Sequence, residues 1–383
     1  MDLLRLRTDL ERTIDAFRAR GIRLVVAYSY KTNYLRSVCT ELDLLNCFAE
    51  VVSPFEVDMA RRYGIEKSRI VYNGPVKDDE SIRTVLSGGG VVNIDSLDDL
   101  ALLRQVKGTC KGPPYRVGVR VSFPVEDLVS SRFGIDLNST DYDTALKIIM
   151  NDQDLKLVSL NSHFPNRDIE SFGIRARTML NAAHKLPVDI QYLDIGGGFC
   201  SSFSHKIGSQ LGFNAPAIEE YAAVIANEMK GAGSSFGGSL MIEPGTLLAA
   251  NCLNLVGGVK SIKINQSVSY YTMDVSRTNL GGLAKSIEPN FVNLDHESAL
   301  GVTSTEGFMV GFTCVEGDVI AATNGHRIYR DDVILFTDVG SYSIVFKPPF
   351  IRGDLAVYQW DGEELILSRR EQTAQDILAR DIL

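Results

Sequence analysis

Eight strand-length apolar runs, each followed by a stretch of helical period or by a turn, divide the first two-thirds of this 383-residue chain. The runs are RLVVAYSY (23–30), CFAEVVS (47–53), RIVYNG (69–74), GVVNID (90–95), YRVGVRVSF (115–123), LKLVSLNSH (155–163), IQYLDIGGG (190–198) and SLMIEPG (239–245). Each is rich in Val, Ile, Leu or Tyr and ends in polar residues or glycine, as strands do. Between them, SPFEVDMARRYG, SLDDLALLRQV and IEEYAAVIANEMKG repeat apolar residues at three- and four-residue spacing, often opening on an N-capping Ser or Asp. Eight such units over roughly 220 residues predict an α/β fold, a (β/α)₈ TIM-type barrel. A doubly wound open sheet is the alternative, and one this wide is less common than closure.

From about residue 247 the texture changes. VSYYTMDVS, GFMVGFTC, GDVIAATN, DDVILFTDVG, LAVYQWDG and EELILSRR are short alternating runs punctuated by Gly, Asp and Asn. They predict a mostly antiparallel β domain, with a helical pattern only in the terminal EQTAQDILARDIL. The segment 281–302 has mixed polarity and reads as a loop. No low-complexity linker intervenes, so the expected domains are a barrel over 1–246 and a β domain over 247–383. The opening MDLLRLRTDLERT sets acids and arginines among leucines, an amphipathic helix without the uninterrupted apolar core of a signal peptide.

Net charge is −9 and no basic stretch interleaves with aromatics, so neither nucleic acid nor an anionic membrane is an expected partner. No apolar run is long enough to span a bilayer. Six cysteines (Cys39, Cys47, Cys110, Cys200, Cys252, Cys314) lie far apart, with no zinc-like spacing and too diluted for a disulfide scaffold. A reducing cytoplasm is the expected location. The histidines His163, His184, His205, His296 and His326 are equally dispersed, and no metal site is expected.

In a barrel, chemistry collects where strands end. Strand one ends in SYKTN with Lys31, strand six in SHFPN with His163, strand seven in DIGGG and strand eight in IEPGT with Glu243. A lysine following VVAYSY would be partly desolvated, favouring the neutral, nucleophilic amine; the alternative is a lysine snorkelling to solvent. His163 would stack on a flat cofactor or serve as a strand-end structural residue. Gly196, Gly197 and Gly198 can present amides to an anion or form a tight turn. They match neither a P-loop nor a dinucleotide fingerprint. Glu243, on an apolar strand, needs a cation or an N–H donor opposite, either a protonated pyridine nitrogen or a structural arginine. Together the four strand ends call for a planar heterocycle bearing an aldehyde, a ring nitrogen and a phosphate, which is pyridoxal 5′-phosphate (PLP).

YSYKTN, SHFPN, LDIGGGF, IEPG, FTCVEGD and DVGSY stand in an order and spacing that resemble the fold-type III PLP enzymes. More narrowly, the chain resembles the ornithine/diaminopimelate decarboxylase group, from about residue 20 to 350. AEVVSPFEVDMARRYGI, RIVYNGPVKDDESI and VNIDSLDDL are similar to its diaminopimelate branch. The resemblance implies an alanine racemase-like barrel and PLP-dependent α-decarboxylation of an amino acid. By it, Lys31 would hold PLP covalently, His163 would stack on the ring and Glu243 would pair with the ring nitrogen. Gly196, Gly197, Gly198, Gly245 and Tyr342 would bind the phosphate, Thr246 could still bond it through its hydroxyl, and Arg120 would lie near the cofactor. It also implies a head-to-tail homodimer with active sites at the interface. There Cys314 would serve the partner's site, protonating Cα.

Several positions depart from the family pattern. Thr246 stands where an arginine commonly follows EPG, and Pro165–Asn166 replace a glycine-serine pair. Val315 stands where an acid commonly grips a distal ammonium, and Glu316, one position on, would face the other way along a strand. Asp274 resembles the second diamine-recognising acid, yet Arg277 lies three residues away. The expected substrate is therefore a modified or scaffold-attached biosynthetic amino acid, met by Asp274, Arg277 and Glu316, and not free ornithine, lysine or diaminopimelate. An amino-acid racemase on this fold and a non-catalytic, decarboxylase-like binding protein are the rival readings. Only about twenty residues precede the first barrel strand, where the family commonly has a strand of the β domain. A β domain one strand short, or a shortened chain, is the expectation.

Overall fold

The computed structural model describes residues 1–110, 112–126, 131–200, 215–231, 236–285, 289–295 and 307–382. His205, His296 and parts of the 281–302 segment fall outside them. The chain forms two compact units, one over 9–204 and 214–247, the other including 1–8 and 248–383.

In the first unit, eight parallel strands close into a barrel among the described residues. They are β1 (Leu24–Ser29), β2 (Phe48–Val51), β3 (Ile70–Tyr72), β4 (Val91–Ile94), β5 (Tyr115–Ser122), β6 (Leu155–Asn161), β7 (Tyr192–Asp194) and β8 (Ser239–Ile242). Pairing of β4 with β5 excludes the open-sheet alternative, because every strand then has two neighbours. The first and last strands meet in register Leu24↔Leu240, Val25↔Met241 and Val26↔Ile242. Parallel strands under a helical layer are buried on both faces, which is why these runs read as continuously apolar. β3 and β4 are buried at every position.

α1 (Leu3–Arg18) precedes the strands, and the helices between them include α2 (Arg36–Leu44), α3 (Pro54–Tyr63), α4 (Asp79–Ser87), α5 (Leu97–Lys107), α6 (Thr140–Asn151), α7 (Ile169–His184) and α8 (Ile218–Gly231). Five of them start where the sequence supplies a capping side chain: Ser53, Asp78, Ser96, Ser139 and Asp168 each accept a backbone N–H of the first turn. Gly64 ends α3 at φ 79°, a left-handed cap that suits glycine.

Among the described residues the second unit holds a six-stranded sheet and a two-stranded one. The six-stranded sheet contains β9 (Leu255–Asn265), β10 (Val268–Met273), β11 (Asn290–Asn293), β12 (Gly307–Val310), β13 (Val319–Ala322) and β14 (Val333–Thr337). All its pairings are antiparallel except β10 with β12. Val259, Met273, Met309, Ile334 and Phe336 form its core. β9 was not legible as a strand, and β11 lies where a loop was expected. β15 (Val357–Trp360) and β16 (Leu365–Arg369) form the hairpin, followed by a short helix, Ala374–Leu378. The first two residues also join this unit: Asp2 bridges Trp360, the Met1 amine donates to the Tyr358 carbonyl at 2.7 Å, and Trp360 N–H donates to the Met1 carbonyl. No helix among the described residues is long and apolar enough to cross a membrane.

Candidate active site

One polar network circles the C-terminal mouth of the barrel. Lys31, just past β1 in a turn of 3₁₀ helix, places Nζ 2.6 Å from Glu50 Oε2, and Ser29 Oγ donates to the same oxygen. Glu50, on β2, is almost wholly buried. Asn73, just past β3, donates Nδ2 to Glu50 Oε1 at 3.3 Å and to Glu243 Oε1 at 2.5 Å. Asn93 of β4 in turn donates to Asn73 Oδ1 at 2.6 Å. It fits because Gly118 on the neighbouring strand has no side chain: a Cβ there would lie 1.7 Å from Asn93 Oδ1.

Glu243 follows β8 and is 3% exposed, so an uncompensated charge there would be expensive. Asn161 of β6 donates Nδ2 to Glu243 Oε1 and to Asp194 Oδ2, both at 2.9 Å. Two fully buried carboxylates on one amide do not both ionise readily. Burial and the neighbouring Glu243 push Asp194 well above the usual carboxylate range. Burial also raises Glu243, but His163 and Lys31 outweigh it and hold Glu243 low. The two carboxyls are thereby driven apart, Glu243 the readier to carry the negative charge and Asp194 the readier to take a proton.

His163 Nδ1 lies 3.2 Å from Glu243 Oε2 and 3.2 Å from the Gly197 nitrogen, and can serve one of them at a time. Burial lowers its affinity for a proton, against the pull of Glu243. The glycine turn is held by close approach. A Cβ on Gly196 would lie 2.4 Å from the Ser162 carbonyl, and one on Gly197 2.5 Å from the Glu243 carbonyl. Gly245 packs as tightly, with a Cβ position 2.0 Å from Thr32 Oγ1. Gly196 N–H donates to Asp194 Oδ1 at 3.0 Å, and Gly197 N–H faces His163. Among the described residues Gly198 N–H has no acceptor.

Lys31, His163, Gly196, Gly197, Gly198, Glu243 and Gly245 thus gather on one rim. Thr246 opens a four-residue helix directly after Gly245. Arg120, on β5, pairs with Asp95 at 3.1 Å and lies over the Phe133 ring. In the second unit, Asp274 accepts from Gly258 N–H at 2.7 Å and pairs with Lys260 at 3.1 Å. Arg277 Nη1 donates to the Val319 carbonyl at 2.8 Å. Cys314 is exposed. Glu316 is exposed too, but it lies in a turn past the end of β12, so strand alternation does not decide which way it faces. Tyr342 adopts φ 60° and stacks on Phe346.

The sequence reading missed Glu50, Asn73, Asn93, Asn161, Asp194 and Arg175. The signal was available for five of them: each is a polar residue inside or just after an apolar strand run, where burial demands a partner. Arg175 sits mid-helix, where nothing in the spacing marks it.

These residues fit PLP. An amine and a buried anion share one rim, a turn too crowded for side chains leaves the Gly198 amide open, and Asn93 Oδ1, Asn161 Oδ1 and Ser162 Oγ are buried without a hydrogen-bond partner among the described residues.

The model of the pyridoxal-dependent decarboxylase pyridoxal-binding domain matches residues 7–250. A diaminopimelate decarboxylase of Methanocaldococcus jannaschii is 24% identical over 99% of this chain and 89% of its own length. One from Zymomonas mobilis is 23% identical over 92% and 85%. The crystal structure of the M. jannaschii enzyme superposes with a TM-score of 0.84 at 23% identity, covering 99% of this chain and 90% of that one. A lysine/ornithine decarboxylase from Vibrio vulnificus, complexed with putrescine, gives 0.71 at 18%, covering 91% and 89%. At these identities the superpositions speak for the fold, whereas the domain match covers well over half of the chain. The chain belongs to the pyridoxal-dependent decarboxylase family, as a carboxy-lyase whose cofactor is PLP.

Proposed function

We propose that this enzyme removes the α-carboxylate from an amino acid whose side chain does not end in a bare ammonium, a modified or scaffold-attached biosynthetic intermediate. It would act as a homodimer with residues 1–246 as the cofactor-binding domain and 247–383 as the β domain. The observation that carries the substrate reading is the engagement of Asp274. Its carboxylate is already committed to Lys260 and to the Gly258 amide. Half-exposed Val315 adds no charge where the resemblance calls for an acid.

When bound, PLP supplies an electron-accepting ring for the electron pair left on Cα as CO₂ departs. Lys31 is the amine that would hold it covalently, and Glu50 at 2.6 Å is placed to hold the proton that this amine must shed to act as a nucleophile. Glu243, ionised and fixed by Asn73 and Asn161, is placed to hold a proton on the ring nitrogen. Asp194 behind it, its proton affinity raised by burial and by Glu243, limits the negative charge gathered there. The glycine turn would seat the phosphate. Cys314, exposed on the second unit, is the proposed proton donor to Cα in the partner's site.

The M. jannaschii and Z. mobilis relatives named above are diaminopimelate decarboxylases, and diaminopimelate is therefore the reference substrate. Steady-state CO₂ release should be poor with diaminopimelate, lysine and ornithine and strong with an N-acylated or carrier-linked analogue. Turnover of diaminopimelate at ordinary efficiency, about 10⁴ M⁻¹s⁻¹ or more in kcat/KM, would refute the substrate reading and leave the chemistry intact. Loss of the visible absorbance band of bound PLP in Lys31→Ala tests the attachment point itself.

A further inference from the structure

Arg175 is the strongest unexplained charge in the barrel unit. It lies on α7 with no exposed surface, and its guanidinium packs 4.2 Å from the Phe172 ring centre and 5.5 Å from that of Phe164. Among the described residues no carboxylate reaches ion-pairing distance; Asp168 and Glu126 attract it from beyond contact. Nη1 donates to the Gly197 carbonyl at 3.1 Å, and Nη2 donates to the Asn166 carbonyl and, at 3.4 Å, to Ser171 Oγ. Nε is buried with no acceptor among the described residues. Burial pushes the group down to about 10, which still leaves it a cation at neutral pH. An apolar side chain would fill this aromatic wedge without the cost of desolvating a charge, so the charge requires a separate explanation.

The peptide between Gly197 and Gly198 supplies it. In a trans peptide the C=O and N–H point in opposite directions. Arg175 holds the Gly197 carbonyl on the helix side, so the Gly198 N–H, the one glycine amide of the three without a described acceptor, points away from Arg175. Gly198 has φ 102°, and a Cβ on it would lie 3.2 Å from the Asn166 carbonyl, which Arg175 also holds. One guanidinium therefore fixes both sides of the turn.

We propose that Arg175 is the phosphate-seating residue of this enzyme, a positioning residue acting from behind the glycine turn. It aims the Gly198 amide at the cofactor's phosphate and offsets the phosphate charge through space, a charge that Thr246 does not supply. The inference rests on PLP as the cofactor.

The test compares PLP with pyridoxal, which lacks only the phosphate, by absorbance titration of the cofactor-free enzyme. Arg175→Met keeps the stem and removes the charge. It should weaken PLP roughly tenfold to a hundredfold, the range for losing hydrogen bonds to a charged group, while pyridoxal binding changes less than about threefold. Inorganic phosphate should raise the melting temperature of the wild-type apoenzyme and not that of the variant. Arg175→Lys, which keeps charge but not the fork, should fall between the two and carries the test if the methionine variant does not fold. Equal losses for PLP and pyridoxal, or no loss for either, would overturn the role of Arg175 alone. A wild-type protein that binds no PLP would overturn the cofactor assignment and this inference with it.

Discussion

Glu56, at the start of α3, shows how a single buried carboxyl ties stability to pH. Burial pushes it up to about 7 from an ordinary 4.5, against the Val52 N–H that it accepts at 2.8 Å. The folded chain then holds a proton that the unfolded chain releases near 4.5. Stability should therefore be intact below that value, fall as pH rises towards 7, and level off above, with a total loss of roughly 3 kcal/mol at most. Glu56→Gln keeps the acceptor and removes the titration. Melting curves of the cofactor-free protein from pH 4 to 8 should lose that decline in the variant; an unchanged slope would show that Glu56 is ionised throughout. Asn73 is the second residue where one atom matters. Its Nδ2 serves Glu50 and Glu243 together, so Asn73→Asp would place a third carboxylate between two. We expect a loss of about 1–3 kcal/mol and weaker PLP binding, read by denaturant titration and absorbance. The sequence showed the residues that end the strands, because position in the barrel selects them. It did not show the asparagines that connect them, because an isolated Asn after an apolar run reads equally well as turn chemistry.

At the level of elements, legibility followed burial. Parallel barrel strands are apolar on both faces and stood out, and capped helices announced their first residues. β9 did not stand out. Gly257, Gly258, Lys260 and Lys263 interrupt its apolar pattern, and the turn that reverses it into β10 uses Gln266 and Ser267 at φ 48° and 68°. Such hairpin turns usually carry Asn-Gly or Asp-Gly, so the strongest short-range signal was missing. β11 is four residues long and becomes a strand only through its partner β14. The glycine turn after β7 was legible as special, but not which amide remains open. Gly197→Ala tests how tightly β7 and β8 close there. Gly197 lies outside the left-handed region, and the relevant cost is the 2.5 Å approach to the Glu243 carbonyl. Overpacking of this kind costs typically about 1–3 kcal/mol. We expect far-UV circular dichroism to be retained and PLP affinity to drop; unchanged affinity would place the phosphate elsewhere.

At the scale of the molecule, the barrel's polypeptide ends meet at the seam between β1 and β8, which three register pairs join. Lys31 ends one of these strands and Glu243 the other, so a ligand gripped by both spans the only junction that chain connectivity does not reinforce. Cofactor binding to the folded state alone adds about 4 kcal/mol at a free concentration a thousand times the dissociation constant. The holoenzyme should therefore melt well above the apoenzyme, and Lys31→Ala should forfeit much of that gap even where PLP still binds non-covalently; equal melting temperatures with and without PLP would argue against it. The small molecule thus acts as a clasp on the cylinder as well as a reagent. Vitamin shortage would then thin out the enzyme itself, exposing it to proteolysis, before it merely idled the molecules that remain.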